Sequence, residues 1–94
     1  MVTTKMSEAD FLDAAARGDA AAVQTGLDQG VAADTADAYG NTALMMACAR
    51  AQTDVCRILV AAGAKPEHKN RYGLGPRHWV RWADHDSTIL KILG

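Results

Sequence analysis

Cysteine is scarce in this chain: Cys48 and Cys56 are the only two, and both lie among small apolar residues. Two cysteines so close together are no disulfide framework. They read as packing residues in a reducing compartment. No apolar run is long enough to cross a bilayer. The opening residues, MVTTKMSEAD, lack the apolar core of a signal peptide. Together these absences predict a cytoplasmic, soluble protein. An excess of basic residues is also missing, since the formal net charge is −1, and charge alone does not point to nucleic acid. No Ser-His-Asp or Cys-His set is ordered enough to propose a nucleophile. Gly73-Leu74-Gly75 is a fragment of a phosphate loop without the later glycine or the preceding strand. His68, His78, Asp84, His85 and Asp86 do not have the helical or knuckle spacing of a zinc site. The expectation is therefore no enzyme, no metal and no cofactor. With 94 residues the chain makes one small domain. Such a chain buries only a little over half of its unfolded surface, so its stability is expected to be modest.

What the sequence does contain is a repeat. The stretch 37–69 reads DAYGNTALMMACARAQTDVCRILVAAGAKPEHK, and its opening returns 33 residues later. Tyr39-Gly40 becomes Tyr72-Gly73, and Thr42-Ala43-Leu44-Met45 becomes Gly75-Pro76-Arg77-His78. Its closing has a counterpart 33 residues earlier, where Ala62-Gly63-Ala64 matches Gln29-Gly30-Val31. A fixed period in this range marks a stacked-repeat protein. The unit, a turn followed by two short helices, resembles the ankyrin repeat. The tetrapeptide T-P-L-H of that family stands here as Thr42-Ala43-Leu44-Met45, followed by Ala47-Cys48-Ala49, and the last unit keeps Pro76 and His78. The resemblance covers about residues 8–93. It implies an all-α solenoid of about three helix-turn-helix units with projecting turns, no catalytic residues, and a role in protein–protein interaction.

Taken in order, residues 1–6 read as a flexible tail and 7–94 as one repeat domain with units at about 7–36, 37–69 and 70–94. Ser7, with Asp10 three residues on, is close to a capping box, and Glu8 and Asp10 suit the positive end of the helix dipole. Phe11, Leu12, Ala15 and Ala16 have helical spacing, which Arg17-Gly18-Asp19 interrupts. A second helix is expected over Asp19–Gln29, closed by Gly30. In the middle unit the turn Asp37–Asn41 leads into helices over Thr42–Arg50 and Thr53–Ala62. Their core candidates are Ala43, Leu44, Ala47 and Cys48, then Val55, Cys56, Ile58, Leu59 and Val60. In the last unit Asn70–Gly73 forms the turn, Pro76 starts a helix that runs to about Ala83, and Asp86 or Ser87 caps a final helix carrying Ile89, Leu90, Ile92 and Leu93.

The last unit departs from the middle one where Arg77 replaces Leu44 and Arg81 replaces Cys48. Two unpartnered guanidiniums would be costly to bury, so both are expected to face water and close the stack as a polar outer face. The chain then reads as a complete, capped array.

In the ankyrin family the partner-facing groove is lined by turn residues and the exposed side of each first helix. The resemblance assigns those places to Ala16 and Arg17, to Ala38, Tyr39, Asn41, Ala49 and Arg50, and to Arg71, Tyr72, Leu74, Trp82 and Ala83. Tyr, Trp and Arg dominate binding energy at interfaces. Their presence here points to partner contact. The alternative is that Tyr39 and Tyr72 pack across adjacent turns and Trp82 caps the core. The arginines suit an acidic or phosphorylated patch on the partner protein. Charge is uneven along the chain: residues 1–49 carry two bases against seven acids, a balance of −5, and residues 50–94 carry eight bases against four acids, +4. Such a dipole orients a charged partner. Arg77, Trp79, Arg81 and Trp82 interleave bases with aromatics as a single-strand nucleic-acid site does. Trp79 and Trp82 are three apart, however, so at least one belongs to the core, and nucleic acid is not the expected partner. The alternative function is a ligand- or metal-responsive protein or small enzyme using segment 84–86. A monomer is expected, with end-to-end association through Trp79 or Leu93 as the alternative.

Overall fold

The computed structural model describes the backbone of residues 6–83 and 88–94 and the side chains of 6–80 and 88–94. Six helices follow one another: α1 (Glu8–Arg17), α2 (Ala20–Asp28), α3 (Ala43–Ala49), α4 (Thr53–Ala61), α5 (Pro76–Ala83) and α6 (Thr88–Leu93). Among the described residues the only β-pairing is a single antiparallel bridge between Ala36 and Thr42. The first helices of the pairs stand in one layer, α1 against α3 against α5. The second helices, α2, α4 and α6, stand in another.

Local chemistry sets the helix ends. The Ser7 hydroxyl accepts from Asp10 N at 3.1 Å and the Asp19 carboxylate from Ala22 N at 3.1 Å. Each satisfies one of the amides that a helix start leaves without an internal partner. Thr42 Oγ1 accepts from Met45 N, while Met45 Sδ accepts from Thr42 N at 3.4 Å. This is a capping box with a thioether where a carboxylate is usual. Thr42 and Met45 are both buried, and a carboxylate there would have to be desolvated. The helices observed lie within a residue or two of the predicted ones, because Asp19, Thr42 and Arg50 act as caps outside the helical residues. Asp84 to Ser87, including the predicted caps of α6, lie outside the described residues.

α3 is the centre of the stack, in contact with α1, α4 and α5. Ala43, Leu44, Met45, Ala47 and Cys48 are all buried, and their small volumes let three helices close on this one. On α4, Val55, Cys56 and Leu59 are buried, whereas the predicted core members Ile58 and Val60 are only half-buried. The outer layer of helices has no further layer behind it, so its flanks stay partly in water. Cys48 and Cys56 are buried thiols with sulfurs 3.8 Å apart.

The period is visible in the hydrogen bonds. Val31 N donates to Gly26 O as Ala64 N does to Leu59 O, each at 2.9 Å, and Gly30 and Gly63 both have positive φ. Arg77, at the place of buried Leu44, is exposed as expected. Its guanidinium donates to the carbonyls of Leu93 and Gly94 at the end of α6. The side chain of Arg81 lies outside the described residues. The resemblance implies that His78, at the histidine place of the family tetrapeptide, bonds within the turn region. It is instead exposed and meets Trp79 edge-on at 5.2 Å. The middle unit offers a hydroxyl at Thr42, and the last has Gly75 there, so the histidine has no such partner.

Candidate functional site

Two turns stand side by side at one edge of the α3–α5 layer. In the first, the Asp37 carboxylate accepts from Tyr39 N and Asn41 N, both at 2.9 Å, and from Asn41 Nδ2 at 3.3 Å. In the second, Asn70 Oδ1 accepts from Tyr72 N at 2.9 Å and Leu74 N at 3.0 Å. A short polar side chain that binds its own backbone two and four residues on holds a turn without further help. The turns are also tied to each other. Arg71 N donates to Tyr39 O at 2.9 Å, Asn70 Nδ2 to Asn41 Oδ1 at 2.8 Å, and the Arg71 guanidinium to Ala38 O at 3.2 Å. Gly40, with φ +80°, lies so close that a Cβ on it would sit 3.2 Å from Asn70 Cα. Glycine is required there both for the angle and for the approach of the next turn.

This double clasp presents Tyr39, 54 % exposed, and Tyr72, 70 % exposed. Neither ring is buried in the core. Among the other sequence-assigned residues, Arg50 and Arg71 are exposed and Leu74 is half-buried. Asn41 is half-buried and committed to the clasp. Arg17 is exposed but engaged with Asp13 at 2.7 Å and Asp19 at 3.5 Å, the only ion pairs among the described residues. The hydrogen bond that Arg17 donates to the Asp13 carboxylate, followed by the Coulomb attraction between them, raises the Arg17 pKa above its ordinary value. The side chains of Trp82 and Ala83 lie outside the described residues. So does segment 84–86, which carried the alternative function.

One feature of this face was not singled out from the sequence. Between α3 and α5 lies an apolar recess of about 130 Å³ lined by Asn41, Met45, Met46, Ala49 and Trp79. Met46 and Trp79 are half-buried against the core. The Trp79 indole Nε1 is buried with no acceptor among the described residues, an omission that ordinarily costs about 1–3 kcal/mol. The signal was available. Asp13, Met46 and Trp79 are successive members of the 33-residue register, one helical turn before Ala16, Ala49 and Trp82, so they form a row across the three units.

The residues 11–93 match the family model of ankyrin repeats in three copies. The chain belongs to the ankyrin-repeat family. It is 33 % identical over 63 residues to the ankyrin repeat domain-containing protein 63 of Homo sapiens, and equally to that of Mus musculus. Those residues are 67 % of this chain and 17 % and 16 % of the two relatives, so the likeness concerns a small part of much longer proteins. Ankyrin repeats generally act by binding other proteins. Among the described residues no helix is long and apolar enough to cross a membrane, and no group of three or more His, Cys, Asp or Glu could hold a metal ion.

Proposed function

We propose that this ankyrin-repeat chain is a non-enzymatic binding module, an adaptor, inhibitor or regulator, that works as a monomer in the cytoplasm. It grips one partner protein on the face made by the turns 37–41 and 70–74 and the outward sides of α3 and α5. The observation that carries this reading is the pair of exposed tyrosines on turns that are hydrogen-bonded within and between themselves. A rigid aromatic contributes area to an interface while losing little rotamer freedom. Arg50 and Arg71, both exposed beside them, suit an acidic or phosphorylated patch on the partner.

The test is affinity capture from the native host, repeated with Tyr39→Ala and Trp82→Ala. The reading expects a discrete partner whose capture falls in the variants while their thermal midpoints stay close to that of the parent chain. Parallel losses of binding and of thermal midpoint would assign these residues to folding and overturn it.

A further inference from the structure

We infer that the recess between α3 and α5 is the anchor point of the binding face, and that it takes an aliphatic side chain, leucine or methionine, followed at once by an acidic residue on the partner protein. This rests on the binding reading above and adds the chemistry of the contact.

The apolar half follows from the walls. Met45, Met46, Ala49 and Trp79 supply four of the five lining residues. The space, about 130 Å³, is close to the roughly 150 Å³ of an apolar cavity that stays dry and takes up a benzene-sized guest. Methionine walls adapt to straight or branched chains. The acidic half follows from charge. Arg50 directly succeeds the wall residue Ala49, is exposed, and has no ion pair among the described residues. Arg17, its counterpart one unit earlier, is already engaged by Asp13 and Asp19. At the wall position itself the row runs Asp13, Met46, Trp79, so the matching place in the first unit is a carboxylate and offers no apolar seat. Among the described residues, an exposed arginine without an ion pair directly follows a recess wall residue in the second unit and not in the first, which is where the partner's apolar–acidic pair should land.

The experiment uses the full chain and terminally blocked dipeptides, with the Trp79 indole N–H resonance as reporter, told from that of Trp82 by a Trp82→Phe variant. Acetyl-Leu-Glu-amide should move the Trp79 signal saturably at millimolar concentration. Acetyl-Ser-Glu-amide should leave it in place, and acetyl-Leu-Lys-amide should bind at least threefold more weakly. Ala49→Leu, which fills the recess from an exposed helical position, should abolish the response with the thermal midpoint kept. Arg50→Glu should reverse the order of the Glu and Lys probes. A Trp79 signal that ignores acetyl-Leu-Glu-amide, that responds equally to the serine probe, or that survives Ala49→Leu would overturn the inference. Those results would leave the tyrosine face and its partner standing, whereas failure of the parent chain to capture any discrete partner, with the dipeptides responding as expected, would count against the broader reading alone.

Discussion

Ala51 holds φ at +55°, at the place where the first unit has Gly18 with φ +79°. A left-handed backbone costs a side-chain-bearing residue roughly 1–2 kcal/mol, and glycine gives back about 0.5–1 kcal/mol in unfolded-chain entropy. Ala51→Gly should therefore stabilise the chain by about 0.5–1 kcal/mol and raise its thermal midpoint by about 2–8 °C. An unchanged or lower midpoint in calorimetry would refute the accounting. Asn70 gives the opposite case. It accepts from two amides and donates to Asn41, so Asn70→Ala should cost about 2–3 kcal/mol at roughly 1 kcal/mol per bond. Asn70→Asp keeps the two acceptor bonds and loses the donor, so it should cost about 1 kcal/mol. Urea melts of the three proteins should rank parent, Asp, Ala. At this scale the sequence announces what is local. The Ser7 cap and the glycine turns are readable because side chain and target are a few residues apart. The engagement of Asn41 is not, because its partner Asn70 lies 29 residues away, and alanine at 51 carries no mark of a left-handed backbone.

Between helices, the first unit solves the packing problem differently from the second. Phe11 stands where the middle unit has Leu44, and Gly26 stands where it has Leu59, one large ring and one absent side chain in place of two leucines. Phe11, Gly26, Leu44 and Leu59 are all buried. A Cβ on Gly26 would come within 2.6 Å of Phe11 Cδ1. Helix propensity alone says that Gly26→Ala stabilises by about 1 kcal/mol. Overpacking of a tight core costs about 1–3 kcal/mol and should win, so the variant is expected to melt lower than the parent. Adding Phe11→Leu should recover part of that loss, and a double variant no better than the single one would show that the contact is not the cause. Helix existence and the buried side of α3 were legible from apolar spacing, since Ala43, Leu44, Ala47 and Cys48 all face inward. Met46 is not marked by the sequence, and Trp79 is marked as a core or end-contact residue but not as the wall of a recess. The family's groove positions drew attention to Ala49 and Trp82 one turn later, and periodicity does not say how deep the space between two neighbouring helices will be.

Over the whole molecule the three units form a thin body, 45 × 26 × 20 Å, in which, among the described residues, the main contacts of each helix pair are with its neighbours. Stability in such a stack is a sum of unit and interface terms, and the middle unit shares in every interface between units. Acidic residues gather toward the first unit and basic ones toward the last two. An acidic partner is therefore steered to the end that carries Tyr39, Tyr72 and the recess. The central claim is that this face, and not the opposite layer, binds. The most direct measurement is the dissociation constant of the captured partner for three proteins: the parent, Tyr39→Ala/Tyr72→Ala, and Gln24→Ala/Arg57→Ala on the α2–α4 layer. The account predicts at least tenfold weaker binding, about 1.4 kcal/mol, for the tyrosine pair, no change for the opposite-layer pair, and thermal midpoints within about 2 °C of one another. Unaltered affinity in the tyrosine variant, or a loss that appears instead in the Gln24/Arg57 variant, would contradict it.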